Sequence, residues 1–224
     1  MIKKIILIVC ACLLSSLNFV GVKALDTSNE NLIGVLELDS ENGKDLTFEE
    51  MVAEIAKDEG CTYDEALKAI VEDVKHSSNS SIIPLNNAVD DNQIIDTLST
   101  LKYRTDTANV FSKNKKYAAG LKFYYSYTGT TASRHIVQLL HVTLDCTVES
   151  TYRSFNGSLF VHLETNYKVH YILNGAFYNT GTKTNSAGLS LGIGKSATIT
   201  LGASSTTNFY DGIYAEGNLW TARQ

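Results

Sequence analysis

A strict alternation of apolar with small polar residues between Ser186 and Ser204 is the feature that most limits how this chain can fold. Side chains at every second position point to the same side of a β-strand, so the pattern predicts extended strands with one apolar face. Lys195, next to Gly194 at the centre, is the one residue that breaks the apolar row. The pattern therefore predicts a hairpin that turns at this point, with a second face of Ser, Thr and Gly.

The hairpin has two interpretations. In the first, its apolar face packs on a second sheet and its polar face meets water. In the second, it resembles the insertion hairpins of β-pore-forming toxins, whose apolar face meets lipid while small polar residues line a channel. Each arm is close to the shortest strand that crosses a bilayer. The candidate membrane residues are Leu189, Leu191, Ile193, Lys195, Ile199 and Leu201.

A second alternation covers residues 159–173 and predicts one long strand, or two strands broken near Asn166. Its polar side predicts a candidate binding face, unless that side is merely a solvated sheet surface. His135 and His141 share a face of an earlier strand candidate, which makes a four-histidine surface conceivable. A third metal ligand is not evident beside His162, so we predict no metal site. The residues of the candidate binding face are His162, Glu164, Lys168 and His170.

Further strand candidates and turn signals predict the fold class. Phe123–Tyr127, Ile136–Cys146 and Phe209–Trp220 read as strands, and Gly-containing turns recur between such segments. We therefore expect a mainly β protein, with an antiparallel β-sandwich or barrel-like domain over residues 101–224.

Residues 25–75 predict a small acidic helical hairpin in front of that domain. Thr47 with Glu50, and Thr62 with Glu65, are spaced as capping boxes, and apolar residues follow each pair at helical spacing. Gly60 is a plausible stop between the two helices. Residues 76–100 are rich in polar turn residues and predict a linker.

Charge divides the chain into two unlike segments. Residues 25–100 hold 18 acidic and 4 basic side chains, whereas residues 101–224 hold 6 acidic and 12 basic ones. Opposite charges suggest that the first segment docks on the second. The acidic segment could be a pro-segment removed by proteolysis, or a permanent part of a two-part fold.

The N-terminus predicts export. Lys3 and Lys4 precede an apolar run over Ile5–Leu14, and Val22-Lys23-Ala24 has the form of a cleavage site, so residues 1–24 read as a signal peptide. The run is too short for a spanning helix. We expect a secreted, extracellular protein, although a lipid anchor at Cys12 is an alternative.

Cleavage after residue 24 leaves two cysteines, Cys61 and Cys146, which allow one disulfide. Neither lies in a spacing typical of structural zinc sites, and we predict no cofactor.

Three apparent catalytic motifs arise from the alternation of Gly and Ser. Residues 188–192 match GxSxG, but a nucleophile elbow needs a strand, a turn and a helix, and no histidine follows His170. The matches to a dinucleotide fingerprint at 192–197 and to the end of a phosphate loop at 194–196 have no βαβ context. Asp145 with Glu149, or Glu164 with Asp211, could pair as glycosidase carboxylates, but their spacing does not favour it. We predict no catalytic residues.

Three function classes follow from these features. The first is a secreted, non-catalytic β-domain that binds a cell-envelope or other extracellular target, such as a glycan or a membrane surface. The second is a membrane-active toxin or bacteriocin-like protein that inserts the 186–204 hairpin, and the third is an extracellular hydrolase. Nucleic acid is not an expected partner, because the helical segment is strongly acidic, whereas binding to nucleic acid depends on Lys and Arg that neutralise phosphates.

Overall fold

A computed structural model of the chain describes residues 43–76, 90–130, 132–148, 151–180, 186–202 and 207–221, so the predicted signal peptide lies outside the described residues. The chain is mainly β, with two antiparallel sheets preceded by a helical hairpin, and the predicted fold class is confirmed. In chain order the elements are β1 (Lys44–Leu46), α1 (Phe48–Glu59), α2 (Tyr63–His76), α3 (Asp91–Ser99), β2 (Lys102–Phe111), β3 (Ala118–Thr128), β4 (His135–Asp145), β5 (Thr147–Val148), β6 (Thr151–Tyr152), β7 (Ser154–Thr165), β8 (Lys168–Thr180), β9 (Ser186–Leu191), β10 (Lys195–Gly202) and β11 (Thr207–Trp220).

The strands form a five-stranded sheet in the order β1-β2-β3-β4-β9 and a four-stranded sheet in the order β10-β7-β8-β11. Strands β5 and β6 form a separate two-stranded ribbon. The two large sheets share one hydrophobic core, to which Phe123 of the first sheet and Leu159 and Tyr171 of the second contribute. Burying one such side chain stabilises the fold by about 1.5–3 kcal/mol.

The helices pack on the other face of the five-stranded sheet and form a second core with it. Met51 and Ile55 of α1 are buried there against Tyr103, Tyr124 and Leu140 of the strands. The helical segment therefore docks on the β-domain. Helical spacing gathers its apolar side chains on one side, and that side packs against the sheet.

The capping signals form as the sequence predicts. Thr47 accepts a hydrogen bond from the backbone N–H of Glu50, and the Glu50 carboxylate accepts one from the backbone N–H of Thr47. Thr62 and Glu65 exchange the same pair of bonds, and Gly60 ends α1 in a left-handed conformation with φ 71°. These bonds satisfy N–H groups that a helix start leaves without partners.

The predicted linker is wrong for residues 91–99, which form α3. Ile94 and Leu98 are buried in the helical core, and this packing stabilises a helix that its polar composition does not indicate. The earlier part of the predicted linker, residues 77–89, lies outside the described residues.

Strand β2 was not among the predicted strands, and buried charges explain why. Arg104 and Asp106 alternate with Tyr103 along the strand, and both are almost fully buried. The Arg104 Nε lies 3.2 Å from both carboxylate oxygens of Asp106, and the Tyr125 hydroxyl donates to the same carboxylate. These partners satisfy the buried charges, but the charged residues hide the apolar alternation of the strand.

The possible disulfide does not form, because no bond joins the sulfur atoms of Cys61 and Cys146. Cys61 packs against the helical core, and its Sγ lies 3.7 Å from Glu59. Cys146 is buried in the core between the sheets, with its Sγ 3.6 Å from the Leu144 carbonyl oxygen. The two cysteines therefore belong to cores on opposite faces of the five-stranded sheet.

Candidate binding face

The alternation over residues 159–173 forms two strands, β7 and β8, which turn at Asn166 and Tyr167. Leu159, Val161 and Tyr171 point into the core, so the polar residues between them form the outer face of the four-stranded sheet. We call this surface the histidine face. Its members include Phe160, His162, Glu164, Tyr167, Lys168, His170, Ile172, Asn174, Tyr214, Glu216, Asn218 and Trp220.

The structure brings the four predicted binding residues together. His162 lies directly opposite His170 in the β7–β8 ladder. A register irregularity between Leu163 and Thr165 interrupts the ladder next to Glu164. Glu164 nevertheless stays on this side of the sheet, where its Oε2 lies 2.5 Å from the Lys168 Nζ. A hydrogen bond from Lys168 lowers the pKa of Glu164, and the charge of Lys168 acts in the same direction.

Strand β11 supplies partners that the sequence analysis missed. It pairs with β8 over almost its whole length, which places Asn218 opposite His170 and Trp220 opposite Lys168. The His170 Nδ1 lies 3.1 Å from the Asn218 Oδ1, and its Nε2 lies 3.7 Å from a Glu216 carboxylate oxygen. These side chains fix the orientation of the His170 ring.

Aromatic rings line the histidine face. The Phe160 ring centre lies 6.4 Å from that of His162 and 6.3 Å from that of His170. Tyr167 stacks on Trp220 at 6.0 Å. The rings are held by contacts on the face, and they offer flat apolar surface next to polar groups.

The most accessible ring of the histidine face is that of Tyr214, which is 50% exposed. Its hydroxyl donates a hydrogen bond to the Glu216 carboxylate at 3.0 Å. The alternation of Tyr214, Glu216 and Asn218 with buried Ile213 and Ala215 was the local signal that could have assigned these residues to one face. Their approach to His170 depends on long-range pairing, which the sequence does not display.

The four histidines do not share one surface, so that interpretation of the sequence is wrong. His135 and His141 lie on β4, in the other sheet, and His141 is buried beneath the helices. Within the described residues, no group of three or more His, Cys, Asp and Glu side chains is placed to hold a metal ion.

The 186–204 segment turns where the sequence predicts, but its two arms do not pair with each other as a hairpin. Strand β9 pairs with β4 of the five-stranded sheet, and β10 pairs with β7 of the four-stranded sheet. The arms thus form an arch that links the two sheets, because the apolar side of each strand packs into the core between them. Residues 203–206 lie outside the described residues.

The candidate membrane residues of the arch divide into two groups. Leu189, Leu191 and Leu201 are buried in the core between the sheets, and Ile199 packs against it half-buried. Ile193, at the turn, is 51% exposed, and Lys195 is exposed. The packing interpretation therefore describes the folded protein, while membrane insertion stays a prediction.

Two carboxylates considered for hydrolysis bind backbone groups. Asp211 accepts hydrogen bonds from the Asn114 backbone N–H at 3.0 Å and from the Asn114 side chain at 2.9 Å. Asp145 accepts a hydrogen bond from the Thr147 backbone N–H at 2.9 Å. Ser190 of the GxSxG match lies within a strand and accepts a hydrogen bond from Gln138.

Comparisons with protein-family models, with curated proteins and with solved structures found no match to this chain. Among the helices of the described residues, none is long and apolar enough to span a membrane.

Proposed function

We propose that the protein is a secreted, non-catalytic binding module whose histidine face binds an uncharged glycan of a cell envelope or extracellular matrix. The observation that carries this proposal is that the charged groups of the face have partners on the face. Lys168 pairs with Glu164, while Glu216 lies close to His170 and accepts from Tyr214. The face therefore has little charge left for an ionic partner.

A chain of sugars fits the chemistry that remains. Hydroxyl groups donate to the oxygens of Asn218, Glu164 and Glu216 and accept from the imidazole N–H groups. The apolar faces of sugar rings pack on aromatic rings, and Tyr and Trp offer large contact area at low cost in conformational entropy. Nucleic acids and anionic lipids fit less well, because they bind to unpaired basic side chains.

Binding to insoluble and soluble polysaccharides tests this proposal. We expect the purified protein to sediment with at least one uncharged polysaccharide, such as chitin or cellulose. Tyr214→Ala should weaken that binding at least about tenfold, because the variant removes an exposed ring of the face. Tyr63→Ala is the matched control, since Tyr63 is 38% exposed on α2, which packs on the other sheet.

Two results would contradict the proposal. Equal loss of binding in Tyr214→Ala and Tyr63→Ala would place the binding surface elsewhere. An absence of binding to every polysaccharide, combined with dye release from liposomes by the same protein, would favour the membrane-active alternative and insertion of residues 186–204.

A further inference from the structure

Four strands are the edge strands of the two sheets: β1 and β9 in the five-stranded sheet, and β10 and β11 in the four-stranded sheet. An edge strand carries backbone N–H and C=O groups that lack a ladder partner, and it can therefore pair with another chain. Proteins usually prevent this with short edge strands, bulges, prolines or charged side chains.

Three of the four edges have such protection. Strand β1 is three residues long, and β9 has six residues with an irregular register against β4. Strand β11 is long, but a register irregularity separates Phe209 from Asp211, and the strand carries the charged side chains of Asp211 and Glu216.

Strand β10 has none of these features after its first residue. It pairs with β7 over eight residues without a register shift, and residues 196–202 contain neither a charge nor a proline. Thr198 and Thr200 are exposed, and the inward-facing Ala197 and Ile199 are only half-buried. Among the described strands, β7 is the sole ladder partner of β10. The edge is thus regular, uncharged and partly apolar.

We propose that β10 pairs antiparallel with β10 of a second copy of this chain, so that the protein is a symmetric dimer. A twofold interface requires a self-complementary surface. In a register centred on Thr198, Ser196 lies opposite Thr200 of the second copy, and Ala197 lies opposite Ile199. Polar residues then meet polar residues on the outer side, and apolar residues meet apolar residues on the side of the core.

Charge also suits this register. Lys195, the one charged residue of β10, is the exception to this matching, because it lies opposite Leu201 of the second copy, but the two lysines are then at opposite ends of the paired strands. A register shifted by one residue would set the Ser and Thr residues against Ala and Ile. The pattern of β10 therefore selects both the partner and the alignment.

The mass of the protein in solution tests this proposal. Light scattering coupled to size-exclusion chromatography should give twice the mass of one chain at micromolar concentration. Thr198→Lys places two like charges at the centre of the interface and should raise the dissociation constant of the dimer at least about tenfold. Asn174→Lys is the matched control, because Asn174 is exposed on the same sheet but lies on β8, which is paired on both sides.

The expected result is a dimer for the wild type and for Asn174→Lys, and a monomer for Thr198→Lys with an unchanged circular dichroism spectrum. Thr200→Lys is a second variant of the same edge, in case Thr198→Lys does not fold. A wild-type protein that has the mass of one chain at every concentration would overturn the proposal. A dimer that forms unchanged in both Thr198→Lys and Thr200→Lys would also overturn it.

Discussion

At the scale of single residues, His141 is a buried histidine of β4 that lies beneath α1. It is 2% exposed, and its ring centre lies 6.0 Å from that of Tyr124. The Nε2 atom makes no hydrogen bond, although a carboxylate oxygen of Glu59 lies 3.3 Å away. Burial lowers the pKa of His141 to about 4, and the charges of Glu59 and Asp58 oppose that shift only in part. The imidazole is therefore neutral at neutral pH, and its contact with Glu59 is not an ion pair there.

This pKa predicts that acidification destabilises the protein through His141. As the pH falls from about 6.5 to about 4, the histidine becomes protonated in the unfolded chain but stays neutral in the folded chain. The free energy of unfolding should therefore fall with pH, by at most about 1.4 kcal/mol per unit for this residue. Urea unfolding at several pH values within this range measures the effect, and His141→Gln should reduce the slope.

The comparison with His141→Gln isolates the histidine from its neighbours. Burial raises the pKa of Asp73, which lies close to Gly188, the ladder partner of His141. A raised carboxylate pKa has the opposite effect and stabilises the folded state as the pH falls. Asp73, Asp58, Glu59 and Lys122 are present in both proteins, so the difference in slope belongs to residue 141. Equal slopes would contradict the prediction, because they would show that folding does not lower the pKa of His141.

Part of the candidate site could be predicted from the sequence residue by residue. His162, Glu164, Lys168 and His170 share a face because they alternate on two consecutive strands, and a hairpin brings such strands together. Asn218 and Trp220 complete the face from a strand about 50 residues away along the chain. No local pattern specifies that pairing, which depends on the packing of the whole sheet.

At the scale of elements, local signals gave reliable predictions and long-range ones did not. The helices α1 and α2 formed where capping boxes and apolar stripes indicated them, since both signals act within a few residues. The 186–204 segment turned at the predicted place, but the partners of its arms were wrong. An amphipathic strand specifies which side it buries and leaves open which neighbour it pairs with.

The second core predicts that the helical segment is a permanent part of the folded protein. Met51→Ala should lower the free energy of unfolding by about 2–5 kcal/mol, because Met51 is 0% exposed in the helical core. Glu49→Ala, an exposed change in the same helix, should alter it by less than about 0.5 kcal/mol. Thermal unfolding of both variants, followed by circular dichroism, measures the difference.

The same prediction extends to the mature chain. Protein recovered from the medium of an expressing culture should keep residues 43–100, since their loss would expose Tyr103, Tyr124 and Leu140 to water. Intact mass spectrometry reads this directly. An active form that begins near residue 101, with unfolding unaffected by Met51→Ala before cleavage, would instead identify the acidic segment as a removable pro-segment.

At the scale of the whole molecule, the described residues form three layers: the helices, the five-stranded sheet and the four-stranded sheet. The five-stranded sheet is the middle layer and is covered on both sides. Its neighbouring residues Tyr124 and Tyr125 accordingly point into different cores. The proposed binding site lies on the polar face of the outer sheet. Composition alone indicated this division, since the acidic and basic segments each supply one side of the contact. Lys122 of the sheet lies 2.9 Å from Asp58 of α1.

The proposed dimer and the proposed glycan site together predict binding that depends on the length of the ligand. Antiparallel pairing through β10 would place two histidine faces on the same side of one continuous sheet. A long polysaccharide could then contact both faces, and linked sites bind a shared ligand more tightly than either site does alone. A short oligosaccharide would contact one face, so its affinity should not depend on the dimer.

Thr198→Lys should therefore weaken binding to a polysaccharide at least about tenfold more than it weakens binding to the matching oligosaccharide. Tyr214→Ala should weaken both, because it changes the face itself. Titration calorimetry with the two ligands and three proteins separates the cases. If Thr198→Lys weakens both ligands equally, the lysine disturbs the histidine face itself, because residue 198 lies opposite Phe160. If neither ligand responds to Thr198→Lys although the dimer is broken, each histidine face acts on its own.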